Sequence, residues 1–220
     1  GSSNYDFNGG VDNIKVYNYA LTQEQIATDI EFSAPLVPKV RLKFEETDGD
    51  IAYDSSGNRN RGNLGGAASC PGGASCPASG IGHSGGAFNF DGIDDYVDMG
   101  DNLDQTGSFT IMAWIKPDNV AITGHQRIII KDNETLGWAL SLGDSGSGKI
   151  RFFVRGTTGT LTDSPIVLTP GQWYHVAAVF DTTANTRTIY LNGSLNAQST
   201  SINGDPVANS SRLGIGRDPA

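Results

Sequence analysis

The stretch Asn4-Tyr-Asp-Phe-Asn-Gly-Gly-Val-Asp-Asn-Ile-Lys-Val-Tyr-Asn-Tyr-Ala-Leu21 decides the fold, and Ser211-Arg-Leu-Gly-Ile-Gly-Arg-Asp-Pro-Ala220 reads straight into it. Joined in that order, the two segments read as one interrupted passage that leads into a short helix. The helix begins at Thr22, where Thr-Gln-Glu-Gln25 has the capping-box pattern, and is expected to run to about Ile30. Ser33-Ala-Pro-Leu-Val-Pro38 then breaks the periodicity with two prolines and reads as part of a linker.

Outward from there the dominant period is two. Val40-Arg-Leu-Lys-Phe44, Ser108-Phe-Thr-Ile-Met-Ala-Trp-Ile115, Arg127-Ile-Ile-Ile130, Trp138-Ala-Leu-Ser-Leu142, Lys149-Ile-Arg-Phe-Phe-Val154, Tyr174-His-Val-Ala-Ala-Val-Phe180 and Thr186-Arg-Thr-Ile-Tyr-Leu191 are short runs rich in branched and aromatic residues, separated by Gly, Asp, Asn and Pro. Leu191-Asn-Gly-Ser194 adds a hairpin, because Asn-Gly tolerates the positive φ angles of a type I′ turn. The pattern predicts an all-β, two-sheet antiparallel β-sandwich with one short helix. A chain of 220 residues suffices for one such sandwich, so a single domain over residues 1–220 is expected.

The joined ends resemble the last two strands of a laminin G-like, concanavalin A-like jelly-roll domain. Val40-Arg-Leu-Lys-Phe-Glu-Glu46, Ala52-Tyr-Asp-Ser-Ser-Gly-Asn-Arg-Asn-Arg-Gly62, Gly86-Ala-Phe-Asn-Phe-Asp-Gly-Ile-Asp-Asp-Tyr-Val97, Phe109-Thr-Ile-Met-Ala-Trp-Ile-Lys-Pro117 and Trp173-Tyr-His-Val-Ala-Ala-Val-Phe-Asp181 are similar to that family's other signatures. The order is shifted: residues 4–30 are the displaced final strand and helix, 31–39 the linker and 40–220 the main body. This is the order of a circular permutation, or of a fragment cut out of phase from a tandem array. Val11–Tyr17 is then expected to pair in the same sandwich as residues 40–45, with Ala220 close to Asn4. Strand exchange between two copies uses the same contacts, so a monomer or a strand-exchanged dimer is expected. The resemblance implies a secreted or cell-surface, non-catalytic module that binds calcium and recognises a carbohydrate or an extracellular protein. The alternative it leaves is a spacer or cell-adhesion module in which calcium only stabilises the fold.

The charge balance agrees with a cation as partner. With 24 acidic and 15 basic residues and a formal net charge of -9, the chain is ill suited to nucleic acid or an anionic membrane. No stretch approaches the roughly 20 apolar residues that span a bilayer, so no membrane insertion is expected. Cys70 and Cys76 lie in a Gly/Ala/Ser-rich loop able to bring the sulfurs together, and a disulfide is the preferred reading over two free thiols. It would imply an oxidising compartment.

Catalysis finds little support. Glycoside hydrolysis needs two carboxyl groups at fixed separation, and no Glu-x-Asp-x-x-Glu pattern occurs; Asp91, Asp94, Asp95 and Asp98 are the best alternative acids, with a polysaccharide-cleaving enzyme as the trailing reading. His83 is isolated, and His175 reads as a packed strand histidine. All three tryptophans lie in apolar runs. Tyr5, Tyr53, Tyr96 and Trp138 stand nearest predicted loop edges and are the candidate carbohydrate contacts. Calcium prefers several hard oxygens at about 2.4 Å. Asp54, Asn58 and Asn60 around Gly57 offer them, with Asp91 as a further candidate. The resemblance adds Asp12, which would meet Asp54 once the two ends assemble.

Overall fold

The computed structural model describes residues 6–31, 36–67, 70, 73–121, 125–143 and 148–217. In chain order the elements are β1 (Asn8–Tyr17), α1 (Gln23–Glu31), β2 (Val40–Leu42), β3 (Ile51–Ala52), β4 (Gly62–Leu64), β5 (Ala78–Ile81), β6 (Gly86–Asp91), β7 (Val97–Asp98) and β8 (Phe109–Pro117). They continue as β9 (Gln126–Asp132), β10 (Gly137–Leu142), β11 (Lys149–Val154), β12 (Leu161–Val167), β13 (Tyr174–Asp181), β14 (Thr186–Leu191), β15 (Ser194–Thr200) and β16 (Gly214–Ile215).

These strands form two antiparallel sheets of a jelly-roll sandwich. The first runs β15-β14-β13-β8-β1-β6-β5, with β2 also pairing β1; the second runs β12-β11-β10-β9-β16-β7-β4-β3. Between them lies one core that includes Val11, Phe44, Phe88, Phe109, Trp138, Phe152 and Phe180. At one end of the sandwich the fully buried Arg187 of β14 donates to the carbonyls of Gly159 and Leu161 and to the Thr162 hydroxyl, joining the two sheets.

β1 lies in the middle of the first sheet. It pairs β6 on one side (Val11↔Phe88), β8 on the other (Val11↔Ile115), and β2 further along (Ile14↔Leu42). The pairing with residues 40–42 is the one expected. The N–H of Phe7 donates to the Gly216 carbonyl at 2.7 Å and Arg217 faces Asp6 at 3.3 Å, so the two ends of the described chain adjoin. Asn4 and Ala220, which that expectation placed together, lie outside the described residues.

Two local features shape the outer face of this sheet. In β1 two residues oppose one in β8 between Asp12 and Lys15, and Asn13 takes a positive φ of 53° there. This bulge resets the alternation: Val11, Ile14 and Val16 enter the core while Asp12, Lys15 and Tyr17 all face outward. Helix α1 then packs on that outer face, where Ile26 and Leu21 meet Tyr17, Met112, Ala177 and Val179. Its start is the expected capping box: the Gln25 N–H donates to the Thr22 hydroxyl and the Thr22 N–H to the Gln25 side chain.

Candidate functional site

Beside α1, the uncovered part of the outer face carries a rung of three side chains. The strand register sets Asp12 of β1 opposite Trp114 of β8, and Trp114 opposite His175 of β13. The hairpin joining β5 and β6 reaches over this rung. Its Gly82 N–H bonds the Gly85 carbonyl at 2.9 Å, and the Ser84 N–H donates to Asp12 Oδ2 at 3.1 Å. A Cβ on Gly82 would lie 2.2 Å from the Gly86 carbonyl and 2.8 Å from Asp12 Oδ2, so only glycine allows this close approach. The turn thereby lays the His83 ring flat on Trp114, with centroids 3.4 Å apart and planes 7° apart. Trp173 stands edge-on to His83 at 6.5 Å, with the Lys116 ammonium 5.5 Å from its ring.

The result is a polar cleft of about 280 Å³ lined by Asn13, Lys15, Asp29, Ile30, Arg41, His83, Ser84, Trp114 and His175. Asp29 arrives on α1 and is held by the Lys15 ammonium and, at 3.2 Å, by the Tyr17 hydroxyl. Burial lowers the Lys15 pKa, opposed by its contact with Asp29. Burial also pushes the Asp12 carboxyl up to about 6, opposed by the Ser84 N–H and reinforced by Glu45. His175 is 3% exposed, and its pKa is driven down to about 3 by burial first, then by the charges of Lys15 and His83. Convergence of shifted ionisable groups with aromatic rings marks this cleft among the cavities of the molecule. A roomier cavity of about 380 Å³ beside the disulfide is walled by Leu64, Cys70, Cys76 and Phe88 with Glu46 and Asp48, and lacks that convergence.

The residues expected from sequence fall elsewhere. Trp138 is 2% exposed in the core, 5.5 Å from Phe109, and has no face for a ligand; this corrects the expectation of a sugar contact there. Tyr53 is 61% exposed, beside Glu45 and Glu46 in a separate acidic recess. Tyr96 lies under the Arg217 guanidinium at 5.9 Å. Tyr5 is outside the described residues. His83, Trp114 and His175, read as isolated or packed, are the residues that sequence reasoning passed over. For Trp114 a signal existed: in Phe109-Thr-Ile-Met-Ala-Trp-Ile-Lys116 it shares parity with Thr110 and Lys116, whereas Trp138 shares parity with Leu140 and Leu142.

The acidic residues separate into three places. Asp54 closes its own turn: its oxygens accept from the N–H groups of Arg41, Ser56 and Asn60 and from the Ser56 hydroxyl. Burial raises its pKa, but these four donors together outweigh burial and the net shift is downward. Asn58 and Asn60 spend their amide N–H groups on the carbonyls of Pro38 and Lys39. Asp12 is engaged by the 82–85 turn and Asp54 by its own turn, so the two carboxylates bond different segments. The carboxylates of Asp91, Asp94 and Asp95 lie within 4.8 Å of one another, a spacing that one calcium ion can bridge. Burial, followed by Asp91, Asp94 and Asp6, holds Asp95 up at about 6. This cluster offers three carboxylates to a hard cation, whereas the Asp54 turn offers one carboxylate already bonded by four donors.

Cys70 and Cys76 form a disulfide with Cα atoms 5.7 Å apart. Among the described residues no helix is long and apolar enough to cross a membrane.

The sequence profile described as the concanavalin A-like lectin/glucanases superfamily matches residues 91–220. Among solved structures, the chain is similar to domain 4 of AbnA, a GH43 extracellular arabinanase from Geobacillus stearothermophilus, in complex with arabinotriose. That match has 17% identity and a TM-score of 0.59, and covers 82% of this chain and 83% of the other. A putative carbohydrate binding protein from Bacteroides ovatus matches at 15% identity and a TM-score of 0.43, covering 98% of this chain and 67% of the other. No curated protein sequence matches.

Proposed function

The chain belongs to the concanavalin A-like lectin/glucanase superfamily, and from that premise we propose that it is a non-catalytic carbohydrate-binding module whose saccharide occupies the cleft lined by the stacked His83 and Trp114 and by His175. The observation that carries this reading is the Asp12–Trp114–His175 rung roofed by His83: aromatic walls with polar groups at the floor and rim are what a sugar, apolar on its faces and hydroxylated at its edges, requires. Asn13, Arg41 and Ser84 supply hydrogen-bonding groups at the rim. Neither cleft carboxylate is set up for catalysis, since Asp29 is committed to Lys15 and Tyr17 and Asp12 to the Ser84 N–H. Domain 4 of AbnA, which shares the fold, was solved with arabinotriose, so arabino-oligosaccharides are the first probes.

The module works outside the cell in this reading, supported by the Cys70–Cys76 disulfide. Calcium is a structural cofactor held by Asp91, Asp94 and Asp95, where it would neutralise three crowded carboxylates. Titration calorimetry with arabinotriose and a glycan array tests the assignment. Trp114→Ala is expected to weaken saccharide binding at least about tenfold, as loss of an aromatic anchor does. Undiminished binding by that variant sinks the cleft; a flat array together with stabilisation by calcium favours the spacer reading.

A further inference from the structure

The geometry points to His175 as the residue that selects the ligand of this cleft: its imidazole pairs with a hydroxyl on a sugar unit inserted to the floor. The inference rests on the carbohydrate reading above. His175 lines the cleft and is 3% exposed, yet its buried Nδ1 has no hydrogen-bond partner. An orphaned buried polar atom costs stability, and one that persists beside a cavity marks a place where a bound group supplies the partner. The ring is not loosely held. Its backbone N–H donates to Asn192 Oδ1 at 2.9 Å, the Asn192 N–H returns to the His175 carbonyl at 2.8 Å, and Trp114 packs edge-on at 5.4 Å and 71°. The imidazole is thus a rigid, preorganised contact.

The surroundings narrow the chemistry of the group that meets it. Lys15 and Asp29 face the same cleft but hold each other, whereas the imidazole Nδ1 there has no partner. A neutral imidazole offers one donor and one acceptor nitrogen, and a hydroxyl matches either. The inserted unit is therefore hydroxylated. Analogues without that hydroxyl leave the nitrogen unpaired and are rejected, by the asymmetry that lets a polar site exclude a deoxy ligand.

The test uses the whole chain, with arabinotriose and the best array ligand as probes and their deoxy and O-methyl analogues as controls. His175→Phe keeps a flat ring without nitrogen; His175→Gln keeps a hydrogen-bonding end. Binding to the parent sugar is expected to fall about tenfold in His175→Phe and to be largely kept in His175→Gln, on the scale of one hydrogen bond to a buried group. One deoxy analogue should bind the wild type about as weakly as the parent sugar binds His175→Phe, with no further loss when the two changes are combined. Without ligand, His175→Phe should melt no lower than the wild type, because it removes an orphaned polar atom. Equal sugar affinity in wild type and His175→Phe overturns the inference while leaving the cleft assignment standing. A His175→Phe protein that melts well below the wild type overturns it too. Absence of any glycan binding by the wild type removes the carbohydrate reading itself.

Discussion

Truncating the Trp138 indole opens a void against Phe109 between the two sheets, and Trp138→Ala is expected to cost about 3–5 kcal/mol in urea melts. Trp114→Ala should cost much less stability, because one face of Trp114 meets His83 on an exposed turn. The pair separates an indole that holds the fold from one that faces a ligand. His175 provides a prediction in pH. Its pKa lies near 3 in the folded chain and near 6.5 when unfolded, so between those values the unfolded chain binds the extra proton. Stability contributed by the neutral ring is present above about pH 6.5 and lost as pH falls toward 3, at up to about 1.4 kcal/mol per pH unit. Wild type should therefore lose more stability than His175→Gln between pH 7 and pH 4.5, and parallel losses would refute the assignment.

At the scale of elements, α1 links helix formation to ligand binding, because it brings Asp29 and Ile30 to the cleft. Thr22→Ala removes the cap and is expected to cost about 1 kcal/mol; it should also weaken sugar binding measurably, since fraying loosens Asp29 from Lys15. The loop after β6 makes a separate prediction: millimolar calcium should raise the melting temperature of chelator-treated wild type and leave Asp95→Asn unmoved. Asp54→Asn should respond to calcium as the wild type does, because its oxygens are already filled by turn donors. Most of the elements were legible from sequence. Period-two runs marked β8, β9, β10, β11, β13 and β14 but not β12 or β15, Asn192-Gly193 marked its hairpin, and Thr22 and Gln25 marked the helix start. The cleft was far less legible. Asp12, His83, Asp29, Trp114 and His175 come from five separate segments, and their meeting depends on which strands neighbour β1 and on a bulge that turns both Asp12 and Lys15 outward. Composition carries neither fact, although parity along β8 did carry the outward face of Trp114.

At the scale of the molecule, β1 is the middle strand of its sheet, with β8 and β6 as flanks. Removing residues 1–31 would leave both flanking edges unpaired and uncover Met112, Ala177 and Val179, so that truncation is expected to be insoluble or unfolded by circular dichroism. A soluble, cooperatively melting truncation would show that β1 is dispensable. The same strand also sets a schedule. Its partner β8 begins at Phe109, more than ninety residues after β1 ends at Tyr17, and a ribosome adding about 5–20 residues per second needs roughly 5–20 s to deliver it. For that interval β1 can pair only β2 and β6, and its β8 edge, with the core that β8 and β13 complete, stays open. Expression yield should thus depend on holdase chaperones and on elongation rate more than the stability of the finished sandwich would suggest.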